Sequence, residues 1–227
     1  MDKKKLKGYL EFFASISNSS LNVELDKLVE AMDRTQIHTF GWPIGIVIHN
    51  EEDRPKPFEK GIRCFIDSGR HYNYWSLARN GEFYLLNNLF EDIGEHGDRT
   101  GGIFFDTRTI RTTEVFLRTG MLYKYLEVPG NEIIECKLEY GGLRDRVLTA
   151  ANPNRAITMS PPVRKCSVDK VEKIFEAPLS DFLEHEKIKG MVFEVIKSIT
   201  EMCDFFVPSK SLIIDPMVEA YLNGDII

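Results

Sequence analysis

The chain has 227 residues, 43% of them apolar and 28% charged. That composition excludes a disordered or collagen-like chain and allows one substantial core. A formal net charge of −6 argues against a protein that coats nucleic acid or an acidic membrane through its overall field. No stretch approaches the roughly 18 consecutive apolar residues of a membrane span. The basic, then apolar N-terminus is interrupted by Glu11 and lacks a small-residue cleavage site, so the cytoplasm is the expected location. Cys64, Cys136, Cys166 and Cys203 form no C-x-x-C pair, which suits four reduced thiols better than a disulfide framework or a zinc site.

In chain order, Lys3 to Ile16 reads as a short amphipathic helix, with Leu6, Tyr9, Leu10 and Phe13 at helical spacing. Ser20 would cap a second helix from Leu21 to about Arg34. Residues 1–39 are thus expected to form an N-terminal helical segment, and 40–227 the main domain. FGWPIGIVIH, Phe40 to His49, reads as a strand in which Pro43 requires an edge or first position. Gly61 to Asp67 is a second strand.

The centre of the pattern is Tyr72 to Asp92, where Asn80-Gly81 suits a two-residue type I′ turn between two β-rich runs. That turn would pair Arg79 with Glu82, Leu77 with Tyr84 and Trp75 with Leu86. Neither run alternates cleanly, so the hairpin is expected to be buried on both faces. A glycine-rich charged loop, EDIGEHGDRTGG, precedes the most helical stretch, Asp106 to Leu126, which Pro129-Gly130 ends. Glu132 to Tyr140 alternates as a half-exposed strand, and another strand surrounds Val147. The polar, proline-bearing run near 151–165 reads as an internal linker. A strand from Val168 to Glu176, a helix from Lys187 to Phe205 and a short last helix from Pro216 to Leu222 complete the chain. Strands and helices mix without βαβ alternation, so the expected class is α+β, a largely antiparallel sheet with helices on its faces.

Charge is segregated. Residues 101–165 carry ten Lys/Arg and seven Asp/Glu, a net of +3, against 19 − 28 = −9 for the remainder. At about 100° per residue Arg108, Arg111 and Arg118 fall within one helical sector of roughly 80°, and Arg144, Arg146 and Arg155 follow. Guanidinium groups suit bidentate recognition of phosphate or carboxylate. Arg108, Arg111, Arg144, Arg146 and Arg155 are therefore the candidate ligand site, for an anion, a nucleotide or nucleic acid, beside the aromatic hairpin carrying Tyr72, Tyr74, Trp75, Phe83 and Tyr84. The rival is a metal-dependent hydrolase or nuclease using Glu91, Asp92, His96 and Asp106. A third reading is a scaffold that binds a protein partner, or a second copy, through the N-terminal helices. No phosphate loop, nucleophile elbow, zincin or dinucleotide motif is present, so no cofactor is implied and no catalytic residue is assigned.

Four runs, HYNYWSLARNGEFYLLNNLFED, GIFFDTRTIRTTEVFLRTGMLYKYLEVP, GGLRDRVLTAANPNR and ITEMCDFFVP with VEAYLNGDI, carry a resemblance. Over about Phe40 to Ile227 the chain resembles the prokaryotic region that follows AlbA-type (Schlafen-like) domains assigned to DNA binding. Met1 to Thr39 is too short for the AlbA-type domain, so DNA binding is not carried over. The resemblance implies a stand-alone sensing or effector module linked to transcriptional regulation or defence, with no catalytic residues attached.

Overall fold

The computed structural model describes residues 6–69, 71–93, 101–156 and 163–225. One antiparallel sheet organises them. Its strands are β1 (Tyr9–Ile16), β2 (Lys56–Phe58), β3 (Gly61–Asp67), β4 (Tyr72–Ala78), β5 (Phe83–Asn88), β7 (Ile133–Gly141) and β9 (Lys170–Pro178), in the order β2-β3-β4-β5-β1-β7-β9. A separate parallel pair joins β6 (Gly102–Phe104) to β8 (Val147–Thr149). Along β1, Leu10, Phe12, Ala14 and Ile16 are buried on the inner face, while Trp75 and Leu77 of β4 and Phe83 and Leu85 of β5 join them. The long helix α2 (Phe105–Tyr125) crosses this face, and α4 (His185–Glu201) and α5 (Asp215–Leu222) pack on α2 in turn. The helix α1 (Leu25–Arg34) packs against β3, and α3 (Pro153–Ala156) is a single turn. The expected α+β class is what the chain forms.

Being wrapped on all sides gives α2 an unusual composition. Thr109, Thr113 and Thr119 are fully buried, and each hydroxyl donates to the carbonyl four residues earlier, at 2.8 Å. Those bonds satisfy the hydroxyls internally, so a threonine-rich helix can be buried without polar penalty. Gly120 sits where α2 touches the carbonyl of Phe182, and a Cβ there would collide with it. In an open helix Gly→Ala gains about 1 kcal/mol. Here Gly120→Ala is expected to cost roughly 1–3 kcal/mol by overpacking. A urea midpoint that rises in this variant would contradict the close approach.

Several expectations are corrected. Residues 9–16 are not helical. Tyr9, Glu11, Phe13 and Ser15 alternate with a buried set, and β1 lies inside the sheet between β5 and β7. The N-terminal segment is therefore no docking pair of helices. Helix α1 starts at Leu25 rather than Leu21, because the Val23 amide is already engaged by the carbonyl of Arg79.

Residues 40–49 form no strand. Gly41 and Gly45 take φ of 57° and 64°, and the segment is tied down by side chains instead. Ile44 N donates to Glu114, Val47 N to Gln36, and the carbonyls of Trp42, Gly45 and Ile46 accept from Arg111, Arg118 and Trp75.

The hairpin register is displaced by one residue. Leu77 faces Phe83, Ser76 faces Tyr84 and Trp75 faces Leu85. Ala78 instead bonds to Glu82 across a three-residue loop, with Gly81 at φ 88°. A tight turn closed by a left-handed glycine is the usual three-residue solution. Arg79 is freed from Glu82 and pairs with Glu24. The hairpin has one buried face, and Tyr72, Tyr74 and Tyr84 lie half-buried on the other.

The run near 151–165 lies partly outside the described residues, and the strand after it, β9, completes the same sheet beside β7. Helix α4 stops at Glu201, ahead of Asp204 and Phe205 with φ of 61° and 57°.

Cys166 and Cys203 are joined by a disulfide, contrary to the expectation of four thiols. They are direct partners in an isolated antiparallel bridge, a juxtaposition that a 37-residue separation does not announce. Cys64 and Cys136 are free and buried, and burial pushes their thiols up to about 11 and about 12. Thiolates are the reactive form. A thiol-specific reagent at neutral pH is therefore expected to find no reactive cysteine in the native chain and two after denaturation without reductant. Four in denaturant would exclude the bridge. Among the described residues no helix is long and apolar enough to cross a membrane.

Candidate functional site

A cavity of about 350 Å³ opens between the ends of β4 and β5, the start of α2 and the 40–44 segment. Its size is in the range of small-molecule sites, which are typically about 300–1,000 Å³. Phe40, Trp42 and Phe90 give it an aromatic wall. Trp42 is 47% exposed and its ring lies 5.2 Å from that of His71, with 31° between the planes. The Arg111 guanidinium sits over Phe40 at 5.0 Å from the ring centroid.

The floor is polar. Asn73 and Asn87 are cross-strand partners, so both amides emerge on the inner face side by side. The Oδ1 atoms of both, and the Nε of Arg108, are buried with no hydrogen-bond partner. Six side-chain polar atoms are in that condition among the described residues, and three of the residues that carry them line this cavity. Each such atom costs about 1–3 kcal/mol, so their clustering marks a part of the fold that packing stability alone does not explain.

The two arginines of the cavity are held by carboxylates. Arg108 Nη2 lies 2.9 Å from Glu91 Oε2, in a pair of which almost nothing is exposed. Glu91 also accepts from Phe104 N at 2.8 Å, and Arg108 stacks on Tyr140 at 5.4 Å. Arg111 Nη1 lies 2.6 Å from Glu114 Oε2 and donates to the carbonyl of Trp42 at 2.9 Å. Burial pushes the Glu114 carboxyl above its usual range, against the opposing pull of Arg111, the Ile44 amide and Arg118. Through these bonds Glu114 and Arg111 fasten the 40–44 wall to α2.

The remaining candidate residues lie elsewhere. Arg146 donates to the carbonyls of Gly142 and Gly102 and lies 2.7 Å from Asp92, pinning the turn that follows β5. Arg144 is exposed and donates to Ser167 O. Arg155 lies 3.9 Å from Asp106 at the far side of Phe105. Thus two of the five arginines share a hollow, and three do not join them.

The acidic set is also dispersed. Asp106 accepts from the amides of Thr107, Ala151 and Asn152, while Glu91 and Asp92 are committed to Arg108 and Arg146. His96 lies outside the described residues. Among those described, no three His, Cys, Asp or Glu side chains come together as metal ligands.

Asn73 and Asn87 were not singled out by the sequence. In the expected register Asn73 would face Asn88, and one residue of slip moves every side chain to the other face. The only available signal was an asparagine at an inward position of an otherwise apolar strand. In comparisons with protein-family models, curated proteins and solved structures, none matches this chain.

Proposed function

We propose that the domain is a small-molecule-binding module whose ligand occupies the cavity lined by Asn73, Asn87, Arg108 and Arg111. The observation that supports this most directly is the meeting of Asn73, Asn87, Arg108 and Arg111 around one aromatic-walled hollow, three of them with a buried polar atom that has no partner. A sensing role suits the resemblance to the region that follows AlbA-type domains. A nucleotide remains within the class of ligands, with the two arginines contributing shape and hydrogen bonds more than net charge, since each already has a carboxylate partner.

Fluorescence provides the test. The chain has two tryptophans, of which Trp75 is fully buried and Trp42 stands at the cavity wall. A ligand in the cavity is expected to change the emission of Trp42 and raise the melting temperature by mass action. In Trp42→Phe the fluorescence change should vanish while the thermal shift persists. A screen of nucleosides, nucleotides, pterins and small carboxylates in which every thermal shift is unaffected by Asn73→Leu would place binding elsewhere and reject this reading.

A further inference from the structure

The sheet ends in two unlike edges. β2 is 3 residues long and contains Pro57, so that side offers little main chain to a further strand. β9 is the opposite case. It is 9 residues long, all of them in register with β7, and among the described residues no strand lies on its other side. We infer that β9 is a docking edge and that its occupant is the β9 of a second copy of this chain, paired antiparallel about a two-fold axis at Lys173.

The main chain is the first argument. Leu179 N donates to Glu132 O at the end of the β7–β9 ladder. Hydrogen-bonded pairs alternate along such a ladder, so Val171, Lys173, Phe175 and Ala177 turn their amides and carbonyls to β7. Those of Lys170, Glu172, Ile174 and Glu176 face the open side. Among the described residues no other backbone group bonds to these four. An unpaired edge of this kind is a template for another strand.

The fit between two copies is the second. A two-fold pairing sets residues of one face opposite each other. Centred on Lys173, it places Lys170 against Glu176 at both ends, opposite charges in direct cross-strand contact. Glu172, whose carboxylate already pairs with Lys137, then meets Ile174, and Val171 meets Phe175 on the inner face. The neighbouring registers fit less well. Centring on Glu172 opposes that carboxylate to its own copy. Centring on Ile174 or Phe175 brings in Pro178, which has no N–H, and the former also opposes Glu172 to Glu176. The one like-charge contact in the favoured register is Lys173 with its own copy, which weakens the pairing and makes it concentration-dependent.

Exposure is the third. Ile174 is 63% exposed, an apolar side chain that a single copy leaves in water at the middle of the open edge. In the pairing the two Ile174 side chains lie in diagonal reach of each other across the axis.

The experiment is sedimentation equilibrium of the whole chain from micromolar to millimolar concentration, for the parent, Lys170→Glu, Glu176→Lys and an equimolar mixture of the two variants. Both positions are exposed, so the fold of the single copy is kept. The parent should dimerise. Each variant alone sets like charges at both ends and should associate roughly tenfold more weakly. The mixture should recover the parent's affinity as a heterodimer, since one variant presents negative ends and the other positive ones. Amide exchange gives a second reading. With rising concentration the amides of Glu172, Ile174 and Glu176 should gain protection, whereas those of Val171, Lys173 and Phe175 are protected throughout by β7.

A parent chain that stays monomeric at millimolar concentration overturns the inference. So does a dimer whose strength neither variant changes, a mixture no tighter than its components, or protection gained on a surface other than β9.

Discussion

Glu91→Ala is expected to lower the melting temperature by on the order of 10 °C. Glu91 and Arg108 form a nearly solvent-free ion pair, and Glu91 also accepts from the amide of Phe104. Removing one partner of such a pair costs about 3–5 kcal/mol, because the surviving charge stays buried without compensation. For a chain of this size each kcal/mol moves the midpoint by about 2–4 °C.

The two halves of the pair hold different parts of the fold. Glu91 lies in the 3-10 turn Phe90–Asp92 after β5, whereas Arg108 is in the first turns of α2. Their contact fixes the cavity floor relative to its wall. The double variant Glu91→Ala/Arg108→Ala should recover part of the loss, since no unpaired charge then remains. Additive single-site losses would show that the two side chains do not depend on each other.

Arg118→Met is the second large expected effect, a loss of about 3–5 kcal/mol from three buried carbonyls left without a donor. Arg118 is fully buried, and its guanidinium donates to Met32 O at 2.8 Å, Thr35 O at 3.0 Å and Gly45 O at 3.1 Å. Met32 lies in the last turn of α1 and Thr35 is its C-cap. Helix carbonyls there lack intrahelical partners, and a cation opposes the negative end of the dipole. Burial pulls the Arg118 pKa down to about 10, partly offset by Glu114, so the group remains charged at neutral pH.

One side chain thereby joins α2 to the end of α1 and to the segment that walls the cavity. Hydrogen exchange should consequently speed up in α1 and around residues 40–48 more than in β1 or β7. Uniform acceleration, or a variant as stable as the parent, would contradict this role. Methionine is the informative replacement because it retains much of the volume while removing every donor.

How much of this was legible in the amino-acid order depends on the range of the interaction. The apolar spacing of Asp106 to Leu126 and the Pro129-Gly130 stop are local, and they place the helix within one residue of its observed ends. β3 and β7 are equally legible, since their alternation is local too. β1 looks helical in sequence because Tyr9 and Phe13, outward on the strand, complete a helical stripe with Leu6 and Leu10. The 40–49 segment resembles a strand in composition but finds its hydrogen bonds on Glu114, Gln36, Arg111, Arg118 and Trp75. Only the last of those contacts involves a neighbouring strand's side chain, and none is a ladder bond.

The arginines show the same division. Helical spacing at about 100° per residue groups Arg108, Arg111 and Arg118 in one sector; Arg108 and Arg111 line one cavity, whereas Arg118 turns to the carbonyls of Met32, Thr35 and Gly45. Arg144, Arg146 and Arg155 follow turns and a short helix, and nothing in their spacing says which way the chain carries them.

The order of residues alone therefore determined the α+β class, the position of most strands and helices, and the inclusion of Arg108 and Arg111 in a candidate site. Periodicity and turn chemistry are properties of adjacent residues. Tertiary structure decided the hairpin register, the Cys166–Cys203 bridge, the carboxylate partners of the arginines and the burial of the Asn73 and Asn87 amide oxygens without a partner. Each of these depends on which distant groups meet once water is excluded, and the cost of burying a polar atom exists only after the chain has closed around it.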